Sequence, residues 1–161
     1  QVMLGDHAGQ SFGILASGVL AGYAAFRLCV PDTRIRPPVR VALIVSSFIW
    51  VLLLAGQMSA SAPDVAERNC LTDFSLLFVI PFAAAIFMAT RGAPVWRGWA
   101  GYAFAMSAGS FSALGMRFLC PNEEPSHLLV WHYLPVLGFT IFGCLLGQIL
   151  LQKTSTPRSK K

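Results

Sequence analysis

Residues 71–119 read LTDFSLLFVIPFAAAIFMAT, then RGAPVWR, then GWAGYAFAMSAGSFSALGMRFL. The two apolar runs, 71–90 and 98–119, each have about the 20 residues a helix needs to cross the hydrocarbon of a bilayer. Only the short basic turn at residues 91–97 separates them. Neither run alternates polar with apolar residues, as a membrane strand of about ten residues must. The stretch therefore predicts an antiparallel pair of transmembrane helices. Cys70 and Cys120 flank its open end and share one membrane depth.

Three more runs of similar length lie outward of this pair, at residues 11–30, 39–60 and 128–151. Together they predict an all-α, polytopic transmembrane bundle of five spans in one domain, residues 1–152, with a polar, basic tail at 153–161. The chain has 161 residues, of which 55% are hydrophobic and 12% charged. An ordinary soluble domain carries about 25% charged residues, so lipid is the expected solvent. The net charge of +5 does not point to nucleic acid, because the basic residues flank apolar runs and form no stripe interleaved with aromatics.

Placement of charge gives an orientation. Arg27, Arg34, Arg36, Arg40, Arg91, Arg97, Lys153, Arg158, Lys160 and Lys161 fall on one side of the predicted spans, and only Arg68 and Arg117 fall on the other. The positive-inside rule puts the first group in the cytoplasm. The intervening gaps hold Asp64 and Glu67, then Glu123 and Glu124, and face the exterior with Cys70 and Cys120. Five spans with the C-terminus inside leave the N-terminus outside, and no signal peptide is evident. One preceding helix would complete a six-span protein with both ends inside. The tail and the segments containing Arg34, Arg36, Arg40, Arg91 and Arg97 then form the face open to a cytoplasmic partner.

Pro81 and Pro135 fall inside spans, where each removes a backbone hydrogen bond and kinks the helix. The Gly18/Gly22 and Gly143/Gly147 steps mark faces where helices approach closely. Trp96 and Trp99 fit an interfacial aromatic belt. Cys29 and Cys144 read as small buried hydrophobes.

Cys70 and Cys120 admit three states: a structural disulfide, which the exterior permits; a thiol pair responsive to redox or metal; or unpaired thiols. His127 and His132 extend the pair to a thiolate–imidazole set suited to a soft or borderline ion such as zinc, bound transiently. Their spacing matches no standard zinc pattern. Asp73 and Arg117, of opposite sign near the exterior ends of the paired spans, are placed to form an ion pair. No resident cofactor and no catalytic motif is evident: C-x-x-C, G-x-S-x-G, H-E-x-x-H and a Walker loop are all absent. Two alternatives to a regulator are a quinone-linked membrane thiol–disulfide oxidoreductase and a small transporter.

Arg91-Gly92-Ala93-Pro94, the small-residue span after it, and Leu119-Cys120-Pro121-Asn122-Glu123-Glu124 resemble the NrsF family. So do Asn69-Cys70 ahead of a span with Pro81, and Trp131, Tyr133 and the glycine-rich last span. Residues 69–152 resemble it most closely, and the earlier spans in layout. The resemblance implies a non-enzymatic, six-span inner-membrane anti-sigma factor. Such a protein sequesters an extracytoplasmic-function sigma factor through a short N-terminal segment and the cytoplasmic face. It also implies release under heavy-metal or oxidative stress, sensed by exterior cysteines corresponding to Cys70 and Cys120. The chain departs from the family pattern at Leu119, where members often carry His, and at His132; the family's N-terminal segment and first helix have no counterpart.

Overall fold

The computed structural model describes residues 2–30, 36–57, 69–92, 94–122 and 124–151, with the side chains of residues 2–7 and 69 outside that description. Arg34, Asp64, Glu67, Arg68, Glu123 and the 153–161 tail therefore lie outside it. The described residues are helical with short connections: α1 (Val2–Leu28), α2 (Pro37–Gln57), α3 (Asn69–Gly92), α4 (Arg97–Leu119), α5 (Pro125–His127), a π-helical segment (Leu128–Tyr133) and α6 (Leu134–Leu150). The last three run on as one rod, Pro125–Leu150.

Local chemistry sets the ends. Pro37 opens α2, a position where the missing N–H costs no bond. α4 stops at Cys120, whose backbone is extended at φ −91°, ψ 120°. The next residue is Pro121, which disfavours helical geometry in the residue before it. Pro125 then starts the final rod from Glu124, whose N–H is taken by Asn122 Oδ1 at 2.9 Å.

Among the described residues, four helices are long and apolar enough to cross a membrane: Ala8–Leu28, Pro37–Gln57, Cys70–Gly92 and Pro125–Leu150. This is the architecture of a multi-pass helical membrane protein. The sequence also counts α4 as a span. That helix has 23 residues, about 34 Å at 1.5 Å per residue, but it is not among the four. Its buried positions are mostly small: Ala100, Gly101, Ala103, Ala105, Ala108, Gly109, Ser110, Ser112 and Ala113. It is the central helix, packed against α1, α3 and α6. A helix sheathed by protein needs no lipid-facing apolar surface, and small residues let its neighbours come close.

The outer helices show the converse pattern. Phe12, Phe26, Ile44, Ile80 and Ile141 are largely exposed, Phe12 at 73%, as expected of side chains solvated by acyl chains. Gly18 and Gly22 of α1 sit on Ser110 and Ser107 of α4, where a Cβ would meet a neighbour at 3.1 Å in each case. Gly143 and Gly147 of α6 face Gly101 of α4 so closely that a Cβ on Gly147 would lie 2.6 Å from the Arg97 carbonyl oxygen.

Hydroxyls stitch the inner helices together. Ser17 and Ser46 Oγ atoms lie 3.0 Å apart, and each also donates to the other's backbone carbonyl at 3.3 Å. Ser107 donates to the Gly18 carbonyl at 3.0 Å, and Trp50 Nε1 donates to Ser110 Oγ at 3.1 Å. Interhelical bonds of this kind satisfy groups that lipid cannot.

The polar ends of the bundle differ. α1, α3 and α4 place Arg27, Arg91 and Arg97 at one end with Arg36, just before α2, and Arg40 in its first turn. Close packing of Gly92 on Cys29 ties the α3 and α1 ends together there. Arg117 lies at the other end, beside the cysteines.

Candidate thiol and metal centre

Cys70 lies in the first turn of α3 and Cys120 caps α4. Antiparallel pairing of these helices brings the two sulfurs to 3.6 Å, and they are not joined in a disulfide. Cys120 Sγ lies 3.3 Å from His127 Nε2. The His127 and His132 rings meet edge-on, with centroids 5.2 Å apart. One donor atom from each of Cys70, Cys120, His127 and His132 falls within 4.8 Å of the others. The sequence named these four residues, and the fold assembles them.

The π-helical segment explains how the two histidines can serve one centre. Five residues of α-helix turn through about 500°, which leaves side chains about 140° apart. Bonds running i to i+5 widen the turn and bring such positions toward one face. The Leu134 N–H bonds the Leu129 carbonyl, five residues back, just before Pro135. Pro135 has no N–H with which to continue the α-helical ladder. The kink expected at this proline is accordingly a π turn on its N-terminal side.

Burial deepens across the set. The cysteines are half-buried, His127 is 3% exposed and His132 is fully buried. Neither ring nitrogen of His132 has a hydrogen-bond partner among the described residues, and Ser126 Oγ beside the centre is likewise unpartnered. A buried polar atom without a partner costs about 1–3 kcal/mol.

Next to His132, Tyr133 leads away from the centre. Arg117 Nη1 donates to Gln10 Oε1 at 3.1 Å and to the Tyr133 hydroxyl at 3.3 Å, and that hydroxyl donates to Gln10 Oε1 at 3.3 Å. The Tyr133 ring packs edge-on against Trp50, centroids 5.6 Å apart, and Trp50 reaches Ser110. Sequence alone does not reveal Gln10, Tyr133 and Trp50 as neighbours of the site, because each comes from a different helix. Asp73, paired with Arg117 in the sequence expectation, is exposed in the first turns of α3, and the Arg117 bonds described here run to α1 and to the last rod.

At the opposite end Arg36, Arg40 and Arg91 are exposed and Arg97 is half-buried. The Arg91 guanidinium sits 4.8 Å from the centre of the Phe87 ring.

Comparison with curated proteins gives no match, and comparison with solved structures gives none. The model of the family described as "Negative regulator of sigma F" matches residues 10–152. That match runs from Gln10 in α1 through α6 with the whole thiol–imidazole cluster, and this chain belongs to the NrsF family, a regulatory rather than an enzymatic one.

Proposed function

We propose that this protein is an inner-membrane anti-sigma sensor. It holds an extracytoplasmic-function sigma factor at its arginine-rich cytoplasmic end and releases it when the exterior cluster of Cys70, Cys120, His127 and His132 captures a soft or borderline metal ion or is oxidised. The observation that carries this reading is the cluster itself. Two thiols and two imidazoles converge from three separate helical elements, and one imidazole is buried with no other partner.

The donors suit such an ion. Thiolate–imidazole sets of two sulfurs and two nitrogens are typical of tetrahedral zinc-like sites, and bonds of about 2.3 Å to sulfur put two thiolates roughly 3.8 Å apart. The Cys70–Cys120 separation of 3.6 Å agrees. A bound ion would supply the attraction that ties the exterior ends of α3, α4 and the last rod together. The residues do the rest. His132 cannot shift without Tyr133, and Tyr133 carries the displacement to Gln10 on α1 and Trp50 on α2. The far ends of α1 and α2 bear Arg27, Arg36 and Arg40. Release requires that the two states of the bundle differ in affinity for the sigma factor. Oxidation uses the same sulfurs: the two thiols give two electrons and two protons to an external oxidant and form a disulfide, for which their proximity is suited.

A pull-down from native membranes tests this proposal. Sigma factor should co-purify from untreated cells and be lost after cadmium exposure. Cys70→Ser, Cys120→Ser and His132→Phe should retain it under cadmium. Release from these variants at the wild-type dose would sink the sensor assignment.

A further inference from the structure

A groove of about 690 Å³ opens at the arginine-rich end, between the start of α4 and the end of α6. Its walls include Trp96, Arg97, Trp99, Tyr102, Cys144 and Gln148. We infer that it is a binding site for one anionic phospholipid, with the phosphate between Arg97 and the Gln148 amide and an acyl chain against Cys144 and Tyr102.

Position, chemistry and charge support this assignment. The apolar spans end nearby, at Gly92 and Leu150, so the groove opens at headgroup depth. Trp96 and Trp99 are 40% and 49% exposed, the half-wet state favoured by indoles at a membrane interface. Donors converge on one spot. Gln148 Nε2 lies against the first turn of α4, where a Cβ on Gly98 would come within 3.0 Å of it. The Trp96 side chain at the N-cap makes no capping bond to that helix, whose N-terminal dipole favours an anion. Arg97 adds a full positive charge to the lining. The deeper wall is apolar and aromatic: Trp99 packs edge-on against Tyr102, centroids 5.8 Å apart. The Tyr102 hydroxyl is bonded to Ser47 at 2.6 Å, leaving the ring to the groove. An anionic head beside an apolar wall at the membrane surface fits a phospholipid, and basic pockets between transmembrane helices bind such headgroups.

Native mass spectrometry of the purified full chain, given equal phosphatidylglycerol and phosphatidylethanolamine, tests the site. One phosphatidylglycerol should be retained with roughly fivefold preference, the selectivity expected of one arginine near a membrane surface. Arg97→Gln should abolish the preference, and Arg40→Gln, outside the groove, should keep it. Equal retention of both lipids, or an unchanged preference in Arg97→Gln, would overturn the proposal. So would displacement by millimolar inorganic phosphate, which would make free phosphate the ligand. A photo-crosslinker replacing Val95 at the groove edge leaves the lining donors intact. In native membranes it should yield an adduct of lipid mass, and an adduct to a second protein instead would assign the groove to a protein partner.

Discussion

His132 is fully buried with two nitrogens that find no partner among the described residues. An imidazole buried only for packing would be better replaced by a ring with no polar atoms. In chelator-treated protein, His132→Phe is therefore expected to raise stability by about 1–3 kcal/mol, the cost of an unsatisfied buried polar group. It should also remove any stabilisation given by added zinc. Denaturant midpoints in detergent, with and without the metal, check both halves. A loss of stability in the metal-free variant would mean that the imidazole has a native partner. The residue types of this centre were legible in the sequence, since Cys70 and Cys120 flank a helical hairpin and His127 and His132 follow closely. Their geometry was not. Neither the 50-residue separation of the cysteines nor the five-residue step between histidines resembles a local zinc motif, because the ligands meet through helix pairing and a π turn.

At the scale of the element, α4 decides the packing. Its glycines and serines lower its hydropathy, and its small residues allow α1 and α6 to approach it. Gly101 is the tightest point: a Cβ there would lie 2.8 Å from the Gly147 Cα and nearer still to the Gly143 carbonyl oxygen. Gly101→Ala should force α4 and α6 apart and cost about 1–3 kcal/mol, as overpacking does. Gly138→Ala on α6 is the matched control. Nothing lies within 4 Å of its Cβ position, so the better helix propensity of Ala should leave it neutral or up to about 1 kcal/mol more stable. Unfolding of the two variants in detergent separates packing from propensity, and equal effects would contradict the close α4–α6 contact. The Gly143/Gly147 step marked one side of this contact in the sequence. Gly101 did not stand out, because a close approach belongs to two helices and one chain segment shows only half of it. The long apolar runs were legible for the opposite reason: spanning a bilayer is a property of one helix alone.

For the whole molecule, the asymmetry of charge bears on orientation. Arg27, Arg36, Arg40, Arg91 and Arg97 gather at the end opposite the thiols, and the positive-inside rule assigns that end to the cytoplasm. The proposed sensing needs the thiols, a reduced pair at 3.6 Å, to face an oxidising compartment. The reverse orientation would put them in a reducing cytoplasm and remove the basis for external sensing. Two exposed positions distinguish the cases: Asp73 near the thiol end and Arg40 at the arginine end. In a background with all four native cysteines changed to serine, Asp73→Cys should react with a membrane-impermeant maleimide in intact spheroplasts. Arg40→Cys should react only after permeabilisation. The opposite pattern would invert the molecule, and with it the separation of stimulus from sigma factor on which the proposed signalling depends. Labelling at both positions before permeabilisation would mean that Arg40 is not cytoplasmic, leaving α1 and α2 unable to deliver a signal to a partner inside.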